Sequence, residues 1–182
     1  MLGGRAEKAN IELHDVRWVV GSKIEDTYDT LRNDWFGSSK GLHIDSYKRI
    51  QYIDGYRISL INVEHDKIEK RKLLKKNNSK KYLWFVNLGG YHPTSMQEKH
   101  EFGLVVASNK LEAKNIAKSK WLIGCKKKHK DDIASLEMFL SCDDCALIKE
   151  IGNWEIKLTL DNNFIAENNY PDWYGYQKID GI

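Results

Sequence analysis

Apolar positions along this chain recur at two spacings, and their alternation predicts a series of short strands and helices. Val16 to Gly21 is an apolar run that reads as a strand. Ser22 follows it as a candidate N-cap, with Glu25 three residues on in capping-box position. Ile24, Tyr28, Leu31 and Trp35 then occupy one face of a helix, which Gly37, Ser38 and Ser39 end. Residues 48–53 and 56–63 read as two strands, with Tyr56, Ile58 and Leu60 alternating and Asp54-Gly55 supplying a hairpin turn. Further on, Tyr82 to Leu88 and Phe102 to Ala107 read as strands, and Leu111 to Leu122 as a helix with Ala113, Ala117 and Trp121 on one face. Apolar runs at Leu136 to Leu140 and Ala146 to Ile151 follow, and Trp154, Ile156, Leu158 and Leu160 alternate after Gly152-Asn153.

The second series repeats the first. At a shift of 86 positions, residues 2–45 match 88–131 at 12 of 44 positions with no gap. The identities include polar residues: Glu12 falls on Glu98, His14 on His100, His43 on His129 and Asp45 on Asp131. Leu2-Gly3-Gly4 falls on Leu88-Gly89-Gly90, and Trp35 on Trp121. Two copies of one supersecondary unit are therefore expected. The predicted fold is α+β, with two pseudo-symmetric repeats, each a mostly antiparallel sheet with one packed helix, closing over a shared core. The expected boundaries are a first repeat at 1–63, a lysine-rich connector at 64–81, a second repeat at 82–160 and an aromatic tail at 161–182 docked on the core. Copy two has a strand before its Leu-Gly-Gly for which copy one has no room. A chain shortened at its start is the favoured expectation, against an open sheet edge.

Hydrophobic residues at 41% and aromatics at 11% are ample for a packed interior and argue against global disorder. The net charge of +3 is too small to imply a polyanionic partner for the whole chain. Its excess is local, with Lys67, Lys70, Arg71, Lys72, Lys75, Lys76, Lys80 and Lys81 between the copies. No stretch approaches the ~18 consecutive apolar residues of a membrane span. The opening MLGGRAEKAN shows no signal-peptide pattern, and three cysteines do not make a disulfide framework. A soluble, cytoplasmic protein without membrane partners is the expectation.

The run LGGRAEKANIELHDVRWVVGSKIEDTYDTLRNDWFG, followed by GLHIDSY and IDGY, resembles the bacterial "domain of unknown function 1543" family. The resemblance extends to copy two through YLWFVNLGGY, the EKHEFGLVVAS run and the HKDD and DDC segments. It implies one or two domain copies per chain and assigns no activity. The family's hydrophobic strand leading into Leu-Gly-Gly is what copy one departs from.

Four features carry candidate chemistry. His14, Asp15, His43 and Asp45, duplicated as His100, Glu101, His129 and Asp131, can bind a divalent metal or serve as acid and base. Against this, they precede predicted strands, where histidine–carboxylate hydrogen bonds can fix loop geometry once per copy. Cys125, His129, Cys142 and Cys145 have a spacing compatible with tetrahedral zinc. Buried thiols packing as small apolar groups are the favoured reading there, since copy one has no cysteine. Gly3-Gly4 and Gly89-Gly90 can cradle a phosphate, but a bulge or tight turn is expected. The connector can grip nucleic acid, although it lacks interleaved aromatics and reads as a solvated linker.

These residues favour a non-enzymatic binding or interaction module for an unspecified small molecule or protein. Its expected site is the surface where the histidine–acid residues gather, with Gly89 and Gly90 nearby. A metal-assisted hydrolase using His14, Asp15, His43 and Asp45 is the alternative, and nucleic-acid binding through the connector the third. No cofactor is expected, with zinc left open at the cysteine set.

Overall fold

A computed structural model describes residues 1–62, 81–91, 94–123, 127–132, 150–164 and 170–181, with backbone alone at 91 and 127–132. The strands are β1 (Leu2–Gly4), β2 (Leu13–Asp15), β3 (His43–Tyr47), β4 (Tyr52–Ile53), β5 (Tyr56–Asn62), β6 (Tyr82–Tyr91), β7 (Lys99–Ala107), β8 (Lys127–Asp132), β9 (Glu150–Ile151), β10 (Trp154–Leu160) and β11 (Trp173–Lys178). The helices are α1 (Tyr28–Asp34), entered through a 3-10 turn at Ile24–Thr27, and α2 (Lys110–Lys120). Every described strand pair is antiparallel, so the chain is α+β. It is built from two repeats, each a mostly antiparallel sheet with one helix packed on it. No helix among the described residues is long and apolar enough to cross a membrane.

The chain forms two compact units, one of residues 1–50 and 166–182, the other of 51–165. The first holds one sheet in the order β11-β3-β1-β2. Its core is Leu2, Leu31, Trp35, Leu42, Ile44 and Ile179, contributed by the sheet, by α1 and by the segment after β11. Each such side chain, fully buried, stabilises the fold by roughly 1.5–3 kcal/mol. The second unit holds two sheets, β7-β6-β8 and β4-β5-β10-β9. In it α2 sets Ala113 and Ala117 against Trp84, Val86, Leu88 and Val105. Among the described residues, the buried apolar side chains gather in two clusters, one in each unit, where a single shared core was expected.

These units do not follow the repeat boundaries, because the hairpin of copy one lies in the unit of copy two. Asp54 and Gly55 both have left-handed backbone, φ 50° and 80°, as a two-residue hairpin turn requires. The strands flanking it are β4 and β5, and β5 pairs with β10 so that Ile58 faces Leu158 and Leu60 faces Ile156. The Asp54 carboxylate accepts the Val106 N–H at 2.9 Å and pairs with Lys120, fixing the turn against β7 and α2.

Local differences from the sequence reading have specific causes. Val16 to Gly21 forms no strand. In copy two the equivalent residues, 102–107, are part of β7 and pair with Tyr82 to Asn87. The cap of the first helical turn is Lys23, whose N–H reaches the Asp26 carboxylate at 3.2 Å, one residue beyond the expected Ser22 and Glu25. His43 to Tyr47 is a strand rather than a lead-in to one. Both glycine pairs lie inside central strands, β1 and β6, and form no turn. Their backbone groups are directed at neighbouring strands, which also removes the phosphate-cradle reading.

Helix α2 is capped as its sequence requires. The Asn109 side chain accepts the Glu112 N–H at 2.9 Å, and the Glu112 carboxylate accepts the Ser108 N–H at 2.7 Å. The hydrogen bond from Lys81, and then that from Ser108, hold the Glu112 carboxyl down at about 2, against an ordinary 4.5. A folded-state value below the unfolded one stabilises the fold above pH 4.5, and that contribution is lost as pH falls towards 2. Glu112→Gln is therefore expected to lower stability at pH 7 in urea unfolding, with a deficit that shrinks between pH 4.5 and 2. A deficit independent of pH contradicts this.

Candidate functional site

Strand geometry gathers the candidate residues on one face of the first sheet. In β1, Gly3 lies directly opposite His14 of β2 on one side and His43 of β3 on the other. Directly opposed residues share a face, and Asp45, two residues after His43, returns to it. The other face carries Leu2 and Ile44 into the core. Gly3 is required by close approach. A Cβ there would stand 2.5 Å from His43 Nε2 and 3.0 Å from Asp45 Oδ2. The imidazole therefore lies in the space that any other residue at position 3 would fill. Tyr176 covers it, ring centroids 4.1 Å apart, and leaves His43 only 2% exposed.

The buried ring is fixed in orientation. His43 Nδ1 is 2.8 Å from the Gly41 carbonyl oxygen, an atom that can only accept, so Nδ1 carries the proton. Gly41 itself has φ +80° and donates its N–H to the buried Asp180 carboxylate at 3.1 Å. Lys178 lies opposite His43 in β11, but its ammonium is held by Asp180 at 2.9 Å, which raises its pKa. Nε2 of His43 is left facing two carboxylates, Asp45 Oδ1 at 3.1 Å and Glu12 Oε1 at 3.6 Å. His14 Nε2 faces the other oxygens of the same pair, Asp45 Oδ2 at 3.5 Å and Glu12 Oε2 at 3.7 Å. The four side chains close an alternating ring of nitrogen and oxygen. With Nδ1 carrying the proton, the Nε2 lone pair of His43 faces carboxylate oxygens, and a cation bound between them would satisfy both. As the side chains stand, no three described His, Cys, Asp or Glu residues are set to hold a metal ion.

Copy two repeats the backbone arrangement. Gly89 of β6 lies opposite His100 of β7 and His129 of β8, the register that Gly3 has with His14 and His43. His100 Nε2 is 3.8 Å from Glu98 Oε2, matching His14 with Glu12. The other Glu98 oxygen is buried and finds no hydrogen-bond partner among the described residues. The pattern of the family described as "Domain of Unknown Function (DUF1543)" matches residues 9–60 and 95–147, once on each copy. The chain belongs to the DUF1543 family. A solved structure, the crystal structure of the protein Il1583 from Idiomarina loihiensis, is 35% identical to this chain, with a TM-score of 0.65. That similarity covers 98% of this chain and 93% of the other. No curated protein matches.

Within this DUF1543 chain the structure sorts the expected site residues. It brings together His14, His43 and Asp45 and sends Asp15 to the opposite face. There Asp15 accepts the Val16 N–H at 2.8 Å and pairs with Arg17. Glu101, the equivalent of Asp15, likewise accepts a backbone N–H, that of Leu122 just after α2, at 2.5 Å. Both follow from alternation, since neighbours along a strand cannot share a face. Gly89 and Gly90 sit inside β6, like Gly3 and Gly4 in β1. Cys125, Cys142, Cys145 and connector residues 64–80 lie outside the described residues, as do the side chains of His129 and Asp131. Glu12 is the member that the sequence reading left off its shortlist, although the match of Glu12 with Glu98 and the i, i+2 spacing to His14 both point to it. Tyr176, Gly41 and Asp180 carry no repeat signal.

If Gly3 is glycine to admit the imidazole, Gly3→Ala should cost about 1–3 kcal/mol of overpacking. The cost should largely vanish in a His43→Ala background, a coupling that urea unfolding of the double-mutant cycle measures. Additive effects would show that the ring does not occupy that space.

Proposed function

We propose that this chain is a non-enzymatic binding module that takes a positively charged ligand on the polar face of its first sheet. The observation that carries the reading is the closed ring of His14, Asp45, His43 and Glu12. Two carboxylates share one small surface with two imidazoles, and an incoming cation offsets that concentration of negative charge. Exposure is graded as a binding site needs. The His43 side chain is 2% exposed and serves as a fixed floor, while His14 and Glu12 are 51% and 42% exposed and reach solvent. The exposed Tyr176 ring adds an aromatic wall beside the carboxylates.

Stability separates this role from a purely structural clasp. A ring that holds the fold together loses stability when opened, whereas groups kept for a ligand are neutral or mildly unfavourable in its absence. Glu12→Gln and His14→Ala are each expected to change unfolding free energy by no more than about 0.5 kcal/mol, or to raise it. Losses above about 1.5 kcal/mol in both variants, read by urea denaturation of ligand-free protein, would assign the ring to structure instead.

A further inference from the structure

We infer that the cation is a divalent transition metal of the zinc or cobalt class, held by His43 Nε2, His14 Nε2 and the carboxylates of Asp45 and Glu12. This inference rests on the binding reading above and narrows its ligand. Two imidazoles with two carboxylates form a mixed nitrogen–oxygen donor set, which suits zinc and its neighbours better than the all-oxygen shells of calcium or magnesium. Their charge of minus two is the charge that one divalent ion cancels.

No three of these side chains hold an ion as they stand, and the dimensions are those of a shell that must close on one. In a tetrahedral site with bonds near 2.1 Å, adjacent donors stand about 3.4 Å apart. The four nitrogen–oxygen separations here run from 3.1 to 3.7 Å. Each carboxylate offers a different oxygen to each imidazole, so the ring is wider than a closed shell, and a metal needs His14 and Glu12 to swing inward. Both are half-exposed and able to do so, whereas His43 is not. His43 instead has the outer support typical of a metal ligand. Its Nδ1–H donates to the Gly41 carbonyl, which fixes the tautomer and leaves Nε2 as the donor. Asp180 in turn holds the Gly41 N–H. A buried histidine with Nδ1 bonded to backbone and Nε2 aimed at two carboxylates is explained more fully by a metal than by a loop-fixing hydrogen bond.

The test uses the full chain with Cys125, Cys142 and Cys145 changed to serine, which removes thiolate binding. The protein is stripped with chelator and titrated with cobalt(II), followed by visible absorption and calorimetry. The inference expects cobalt binding with the visible d–d bands of tetrahedral nitrogen–oxygen ligation and no near-ultraviolet thiolate band. His43→Ala and His14→Ala should each weaken one equivalent at least about tenfold, the loss typical of disturbed ligation. Asp15→Asn, outside the ring, should leave affinity unchanged. His14 is exposed, so its variant carries the test if His43→Ala fails to fold. Absence of cobalt binding, or binding that both histidine variants leave intact, overturns the inference. If cobalt fails while Glu12→Gln and His14→Ala remain neutral in stability, the metal assignment falls and the binding reading stands. If those variants are strongly destabilising, both fall.

Discussion

The contact on which the first unit depends is the imidazole of His43 lying where residue 3 has no side chain. A central strand usually places bulk on both faces, and β1 does so on one, with Leu2 buried against α1. On the other face Gly3 leaves a gap one Cβ wide. His43 enters it from β3, Tyr176 of β11 closes over it, and Gly41 and Asp180 set its orientation. Three segments distant in sequence, at residues 3, 41–43 and 176–180, therefore converge on one ring. The carboxylates of Asp45 and Glu12 are placed by strand alternation alone, and the chemistry of the face follows from that placement.

Copy two repeats the backbone register of this arrangement. Gly89 stands between His100 and His129 in the register that Gly3 has between His14 and His43. The hairpins are treated differently. The 51–62 hairpin of copy one pairs through β5 with β10 of copy two, so the compact units cross the repeat boundary. The alternation of Tyr56, Ile58 and Leu60 against Leu160, Leu158 and Ile156 supplies the matched apolar rows such a pairing needs.

What was legible in the sequence came from periodicity and from the repeat. The helix faces, the Asp54-Gly55 turn and the β5 and β10 strands could be read because local pattern and tertiary role agree there. The DUF1543 resemblance and the two-repeat α+β fold rested on the self-match and on the Leu-Gly-Gly and His-rich segments. Tertiary pairing decided the rest. Val16 to Gly21 has the composition of a strand and pairs with no described strand, whereas its counterpart pairs with Tyr82 to Asn87. Gly3 and Gly4 look like a turn in sequence, yet they are glycines because His43 and Trp35 press on them, a cause located 40 and 31 residues away. Asp15 was grouped with His14 by adjacency, and adjacency in a strand is what separates them. Glu12 could have been recovered from the same rule.

Measuring which nitrogen of His43 holds the proton goes to the heart of this arrangement. A long-range proton–nitrogen correlation spectrum of the imidazoles, in metal-free protein near neutral pH, reports it directly. The geometry predicts Nδ1 protonated, with Nε2 the nitrogen whose signal responds to Glu12→Gln. A neutral ring protonated at Nε2 with Nδ1 bare would contradict the bond to Gly41, and with it the floor on which the site is built.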